Sequence, residues 1–182
     1  FTFTWIGGNP SGTIYRVNIS TDPSLTPPAA SVDTTALSAS FTGLNSNRLY
    51  YAAAAALNLS GTPTAFTAAV STATTVAAIA APGAPTTAAS NASLSTSWNP
   101  GTLALGTNYR AQASELSDFS AIAATSVTAN AFATLTGLAA NTLHYLRVRA
   151  LSSNPPTPDG PWTTIGSAST LANPPGAASA PF

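Results

Sequence analysis

His144 is the one histidine in the chain and the first residue to weigh as a catalytic base. A base needs a partner within hydrogen-bond reach and a third group to orient it. The acids do not supply these: Asp159 lies in the Pro-rich loop that follows, and Glu115 and Asp118 lie in a separate strand-loop region. With no triad to complete, His144 reads as a structural histidine and no catalytic residue is expected. The five carboxylates, Asp22, Asp33, Glu115, Asp118 and Asp159, are scattered along the chain. Calcium takes about six to eight oxygens, and glycoside hydrolysis needs two carboxyls facing each other across a cleft, so these acids read as solvated loop residues. Cysteine is absent, which removes thiolate nucleophiles, disulfides and Cys-based zinc sites. Lysine is absent too, which removes Schiff-base chemistry, and no Gly-rich phosphate loop appears. No enzyme activity, metal or cofactor is expected.

What remains is contact chemistry. A Pro-rich loop, Ser152 to Pro161, runs into Trp162, whose ring is a candidate platform for a sugar or a partner, as are Tyr51 and Tyr145. Trp162 equally reads as the start of the last strand, partly packed, with Phe66 as its counterpart earlier in the chain. Asn18, Asn58 and Asn91 each open an N-glycosylation acceptor tripeptide. In a chain this rich in Ser and Thr such triplets also arise by chance, and the hydroxyls suit O-glycosylation as well. Asn58 is best placed, in a loop before Gly61, whereas Asn18 alternates with inward residues and faces out of a strand.

The composition narrows the partners. Charged residues make up 5% of the 182 residues and the formal net charge is zero, where about 25% charged is usual. Nucleic acid or an anionic membrane would require clustered basic residues, and Arg147 and Arg149 alone are too few. At 45% hydrophobic with no net charge, the chain reads as folded rather than disordered. No apolar run is long enough for a membrane-spanning helix and no basic-then-apolar leader opens it. The chain begins at Phe1, already inside a strand pattern, and reads as a piece of something longer.

The elements that must carry these residues repeat. Thr42-Gly43-Leu44 precedes Tyr50-Tyr51, and Thr136-Gly137-Leu138 precedes His144-Tyr145; Leu44 and Leu138, like Tyr15 and Tyr109, are 94 residues apart (138 − 44 and 109 − 15). That period is about one β-sandwich domain. Short runs of alternating polarity, cut by Gly, Pro and Asn, predict strands. Phe1, Phe3 and Trp5 share one face, matched by Leu94, Thr96 and Trp98, and each Trp is expected in a core. Tyr15, Val17 and Ile19 point inward, as do Tyr109, Ala111 and Ala113. Leu37, Ala39 and Phe41 are echoed by Ala131, Ala133 and Leu135. In the strand after the second corner, Leu146, Val148 and Ala150 alternate with Tyr145, Arg147 and Arg149, a pattern no helix sustains. The matching run Ala52 to Ala56 favours helix on propensity alone, but its aligned copy makes it a strand.

These residues resemble the fibronectin type III family, and in particular its bacterial extracellular members. The resemblance covers the Trp of the second strand, the Tyr of the third and the Leu-to-Tyr corner before an alternating strand ending in Ala56 or Ala150. It implies an all-β fold of two tandem immunoglobulin-like sandwiches, the first lacking its opening strand: residues 1–80, residues 81–172, and residues 173–182 as a linker to a following domain. Ala81-Pro82-Gly83-Ala84-Pro85 and the Asn173-Pro174-Pro175-Gly176-Ala177 stretch resemble the family's Pro-stiffened interdomain linkers. Where some members carry an integrin-binding tripeptide, this chain has Pro158-Asp159-Gly160, without the Arg. His144 stands where the family has a corner Tyr whose hydroxyl bonds backbone. Two registers stay open there: an imidazole N–H takes over that bond, or Tyr145 turns inward.

The function expected is a non-catalytic structural spacer of a longer extracellular or cell-surface protein, associating with itself or with neighbouring domains of the same array into a fibre, sheath or layer. The alternatives are a glycan- or protein-binding adhesion module using Trp162, Tyr145 or Tyr51, and accessory domains of a secreted polysaccharide hydrolase.

Overall fold

A computed structural model describes residues 1–83 and 86–176; Ala84, Pro85 and the last part of the expected terminal linker, from Ala177 onward, lie outside the described residues. The described residues contain strands and no helix, and they form two compact units: Phe1–Thr75 with Asn154–Thr157, and Val76–Ser153 with the chain from Pro158.

The first unit contains β1 (Thr2–Thr4), β2 (Tyr15–Ser20), β3 (Ala30–Thr34), β4 (Ser38–Ser40), β5 (Leu49–Ala56) and β6 (Val70–Ala73). β1 pairs with β4 alone, while the second sheet runs β3-β2-β5-β6, all antiparallel. Phe3, Val17, Ile19, Ala39, Phe41, Tyr50, Ala52 and Ala54 close the core between them. The alternation of β2 buries Tyr15, Val17 and Ile19, as the period-two pattern requires. Ala52 to Ala56 lies in β5, so the pairing with β2 overrides helix propensity there. Beyond β6 the edge of β5 is completed by threonines: Thr64 and Thr67 donate their backbone N–H to Ala56 and Ala54, and their hydroxyls accept from the same residues' N–H groups.

Two residues at strand spacing stay outside or at the margin of the core in this unit. Leu37 is exposed, because it lies in the turn before β4 and rests over Gly7 instead of entering the core. Trp5 is only half-buried at the margin of the core, stacked on Phe3 at 5.5 Å and edge-on to Tyr15 at 5.6 Å.

The second unit contains β7 (Ala81–Pro82), β8 (Thr87–Ser90), β9 (Ser93–Asn99), β10 (Tyr109–Ser114), β11 (Ala124–Thr128), β12 (Phe132–Thr136), β13 (Leu143–Ala150) and β14 (Thr163–Ser169). One sheet runs β12-β9-β7 with β8 also on β9, and the other runs β11-β10-β13-β14. Ala81 and Pro82, expected in a linker, pair with Asn99 and Trp98, and the Gly83 N–H donates to Ser97, so this stretch forms sheet. β7 and β8 are the strands with no counterpart beside β1 in the first unit, which is why that unit's smaller sheet has two strands. The core packs Leu94, Trp98, Tyr109, Ala111, Ala113, Leu135, Leu146, Val148 and Ala150, with Val76 and Ile79 joining it. Trp98 is fully inside, edge-on to Tyr109 at 5.4 Å.

The repeat extends to the backbone. Positive φ angles recur at Gly12 and Gly106, Leu25 and Phe119, Gly43 and Gly137, and Asn47 and Asn141, each pair 94 residues apart (for example 119 − 25). Left-handed backbone at bulky Leu25 and Phe119, φ 57 in both, is strained for an L-residue. Its recurrence means that the same tight turn, with N–H donation from Leu25 to Asp22 and from Phe119 to Leu116, closes the matching hairpin in both units.

Candidate functional site

A cluster of polar and aromatic side chains lies on the outer face of the second unit's larger sheet. β13 places it by alternation: Leu146, Val148 and Ala150 are buried, and Tyr145, Arg147 and Arg149 are half-buried on the other face. β10 brings Gln112 opposite Arg147 and Arg110 opposite Arg149. Gln112 Oε1 accepts from Arg147 Nε at 3.0 Å and from Nη2 at 2.8 Å. The Arg147 guanidinium carbon lies 4.3 Å from the Phe119 ring centre and 4.2 Å from that of Trp162, and Arg149 lies 4.6 Å from Trp162. Arg149 Nη2 pairs with Asp159 Oδ2 at 2.9 Å, and Asp159 Oδ1 accepts the Ser152 N–H. Burial, and then the charge of Arg149, push the Arg147 guanidinium below its ordinary value.

Two local devices aim these groups. The left-handed backbone at Phe119 belongs to the turn that carries its ring onto Arg147. A bulge between β13 and β14, at Leu146/Arg147 opposite Gly166 with φ 130, breaks the register just beside Trp162. The first unit has neither the bulge nor the charges: β5 pairs with β6 without a shift, and Ala53 and Ala55 stand where Arg147 and Arg149 stand. Tyr51, half-buried in that unit, therefore has no such cluster beside it in its own strand.

Among the expected contact residues, Trp162 and Tyr145 lie in the elements that build this one face, but Trp162 is engaged by two guanidinium groups rather than free as a stacking platform. His144 is fully buried. Its Nδ1 lies 2.9 Å from the Thr142 carbonyl, which can only accept, so Nδ1 carries the hydrogen. Nε2 is buried without a hydrogen-bond partner and lies 3.9 Å from Glu115 Oε1, too far for a hydrogen bond. Sequence spacing placed Glu115 apart from His144; the tertiary fold brings the two into proximity. No group of three or more metal-ligating side chains occurs among the described residues.

The corner in the first unit is made by Tyr50, whose hydroxyl accepts the Asn45 N–H at 3.1 Å. In the second, His144 turns to Thr142 instead, and Tyr145 stays outside, which resolves the register.

Comparison with solved structures matches this arrangement to a two-domain fibronectin type III segment from chicken tenascin, with TM-score 0.60, 14% identity, and 93% of this chain and 91% of that chain covered. The chain's fold is that of tandem fibronectin type III domains. A fibronectin domain structure from chicken contactin, FN1 to FN3, also matches, with TM-score 0.43 and 18% identity. That match covers 93% of this chain, which spans 62% of the contactin structure. No family model matches the sequence, and no curated protein matches it. In both fibronectin type III-like units the corner residue is spent on holding backbone, and in the second the arginine–aromatic face is spent on tying the turn at Phe119, β13 and the segment before β14 together.

The three acceptor asparagines differ in setting. Asn18 sits in central strand β2, with its Oδ1 accepting from Ser31 at 2.6 Å. Asn91 lies in the turn between β8 and β9 and donates from Nδ2 to Asn173 at 2.6 Å. Asn58 is exposed in the loop after β5.

Proposed function

We propose that this chain is a non-catalytic structural spacer within a longer extracellular or cell-surface protein, and that its low-charge surfaces associate with other copies or with neighbouring domains of the same array. The observation that carries the reading is how the chemically capable side chains are used. His144 holds a carbonyl inside the core, and Arg147, Arg149, Asp159 and Trp162 are engaged with one another. A tandem fibronectin type III fold is a module of larger proteins, which supports the same reading. Ile6 and Leu105 stand almost fully exposed on a surface with few charges, and this favours packing against a neighbour.

The adhesion reading draws on Tyr145, half-exposed on the arginine-bearing face. Titration of soluble glycans against tryptophan fluorescence separates the two. No saturable change is expected for a spacer, and a saturable change that disappears in Trp162→Ala replaces the spacer with a binding module.

A further inference from the structure

We propose that Asn58 is the N-glycosylation acceptor of the folded chain, and that Asn18 and Asn91, although they carry the same tripeptide, are not. Modification requires the side-chain amide nitrogen to be reachable and uncommitted and the hydroxyl two residues on to lie beside it. Only one of the three sites has both.

The loop from Asn58 to Thr62 is closed by its own backbone: Asn58 N–H donates to Thr62 O, and Gly61 N–H, at φ 79, donates to Asn58 O. Within it Asn58 Oδ1 accepts three bonds, from Ser60 N at 3.0 Å, Ser60 Oγ at 2.8 Å and Thr62 N at 2.8 Å. This fixes the amide by its oxygen, places the Ser60 hydroxyl on it, and leaves the exposed Nδ2 with no hydrogen bond among the described residues. Asn18 fails on access: it is half-buried in a strand paired on both sides, and its Ser20 is buried with its hydroxyl donated to Pro27 O. Asn91 fails on commitment, since its Nδ2 already donates to Asn173 and its Ser93 hydroxyl is shared with Ser90.

A second observation points to the same place. Asn58 borders an open cleft of about 660 Å³ that Ile14, Leu57 and the fully exposed Leu59 also line. An oligosaccharide attached at Nδ2 would lie against this apolar end of the first unit and shield it from water.

The donor class is a sugar chain carried on a lipid pyrophosphate. Nδ2 attacks the anomeric carbon, the bond from that carbon to the pyrophosphate oxygen breaks, the N-glycosidic bond forms, Nδ2 gives up one proton, and the lipid pyrophosphate leaves. The inference rests on the extracellular reading, because such transfer accompanies export.

The test uses the whole chain, purified and folded, incubated with an oligosaccharyltransferase and lipid-linked donor, with proteolytic peptides then weighed. The peptide containing Asn58 is expected to gain the mass of one glycan while those containing Asn18 and Asn91 do not; in the denatured chain all three become acceptors. Ser60→Ala, which keeps both backbone bonds to Asn58 Oδ1, abolishes the gain. Modification of Asn18 or Asn91 in the folded chain to the extent of Asn58, or an Asn58 that accepts sugar only after denaturation, overturns the proposal. Because the reaction is assembled outside any cell, its result is independent of where the parent protein resides; finding that protein inside the cell would overturn the extracellular reading alone.

Discussion

Removing the Trp162 ring tests whether the arginine–aromatic face of the second unit holds that unit together. Trp162→Leu deletes two guanidinium contacts, to Arg147 at 4.2 Å and Arg149 at 4.6 Å. At half-buried sites each contributes about 0.5–1 kcal/mol, so the variant is expected to lose about 1–2 kcal/mol. Arg147→Met deletes the shared contact, the contact with Phe119 and the two hydrogen bonds to Gln112, an expected loss of about 1.5–3 kcal/mol because water takes over part of the Gln112 acceptor. The double variant counts the Arg147–Trp162 contact once, so its loss falls short of the two single losses together by about 0.5–1 kcal/mol. Hydrogen exchange of the β13 amides reads the opening of this unit separately from the other, and a loss of one or two kcal/mol speeds it roughly 5–30-fold. Additivity within about 0.3 kcal/mol would refute the reasoning. It would mean that the rings and guanidinium groups lie close without attracting one another.

Three further outcomes follow from the same structure. Trp98→Ala, at a fully buried ring, is expected to cost about 3–5 kcal/mol, and Trp5→Ala distinctly less because Trp5 lies at the margin of its core; equal losses by unit-resolved hydrogen exchange would contradict the burial difference. Asp33 is held below its ordinary value of 3.8 chiefly by its hydrogen bond from Arg16. A lowered folded value stabilises above the ordinary value and is lost as pH falls through the folded one, so Asp33→Asn is expected to flatten the acid side of the thermal midpoint against pH, and an unchanged acid slope would count against it. Sedimentation of the unglycosylated chain is expected to show heavier species as concentration rises, and a clean monomer throughout would remove the assembly reading.

The sandwich pair was readable from the chain because strand alternation is local. Tyr15, Val17 and Ile19, and Leu146, Val148 and Ala150, declare their buried face by spacing alone, and a second copy 94 residues on (109 − 15) corrects the helix propensity of Ala52 to Ala56. Where alternation stops, so did the reading. Leu37 has the right spacing to be inward but lies in a turn, and Ala81 and Pro82 have linker composition but find hydrogen-bond partners in β9.

By itself the sequence determined the all-β class, the tandem arrangement, the core face of the central strands and the lack of cysteine and lysine chemistry, because these depend on residue type and on period. Which side chains meet was decided only by the tertiary structure. Phe119, Arg147 and Trp162 come from a turn, a strand and the approach to another strand, and their meeting depends on a left-handed residue and a bulge at Gly166 that no periodicity encodes. Glu115 reaches the neighbourhood of His144 in the same way. The three acceptor tripeptides are alike as text, and only the hydrogen bonds around Asn18, Asn58 and Asn91 tell them apart. Local spacing sets which way a side chain faces, but its partners are set by how distant strands register, and that depends on the whole packed sheet.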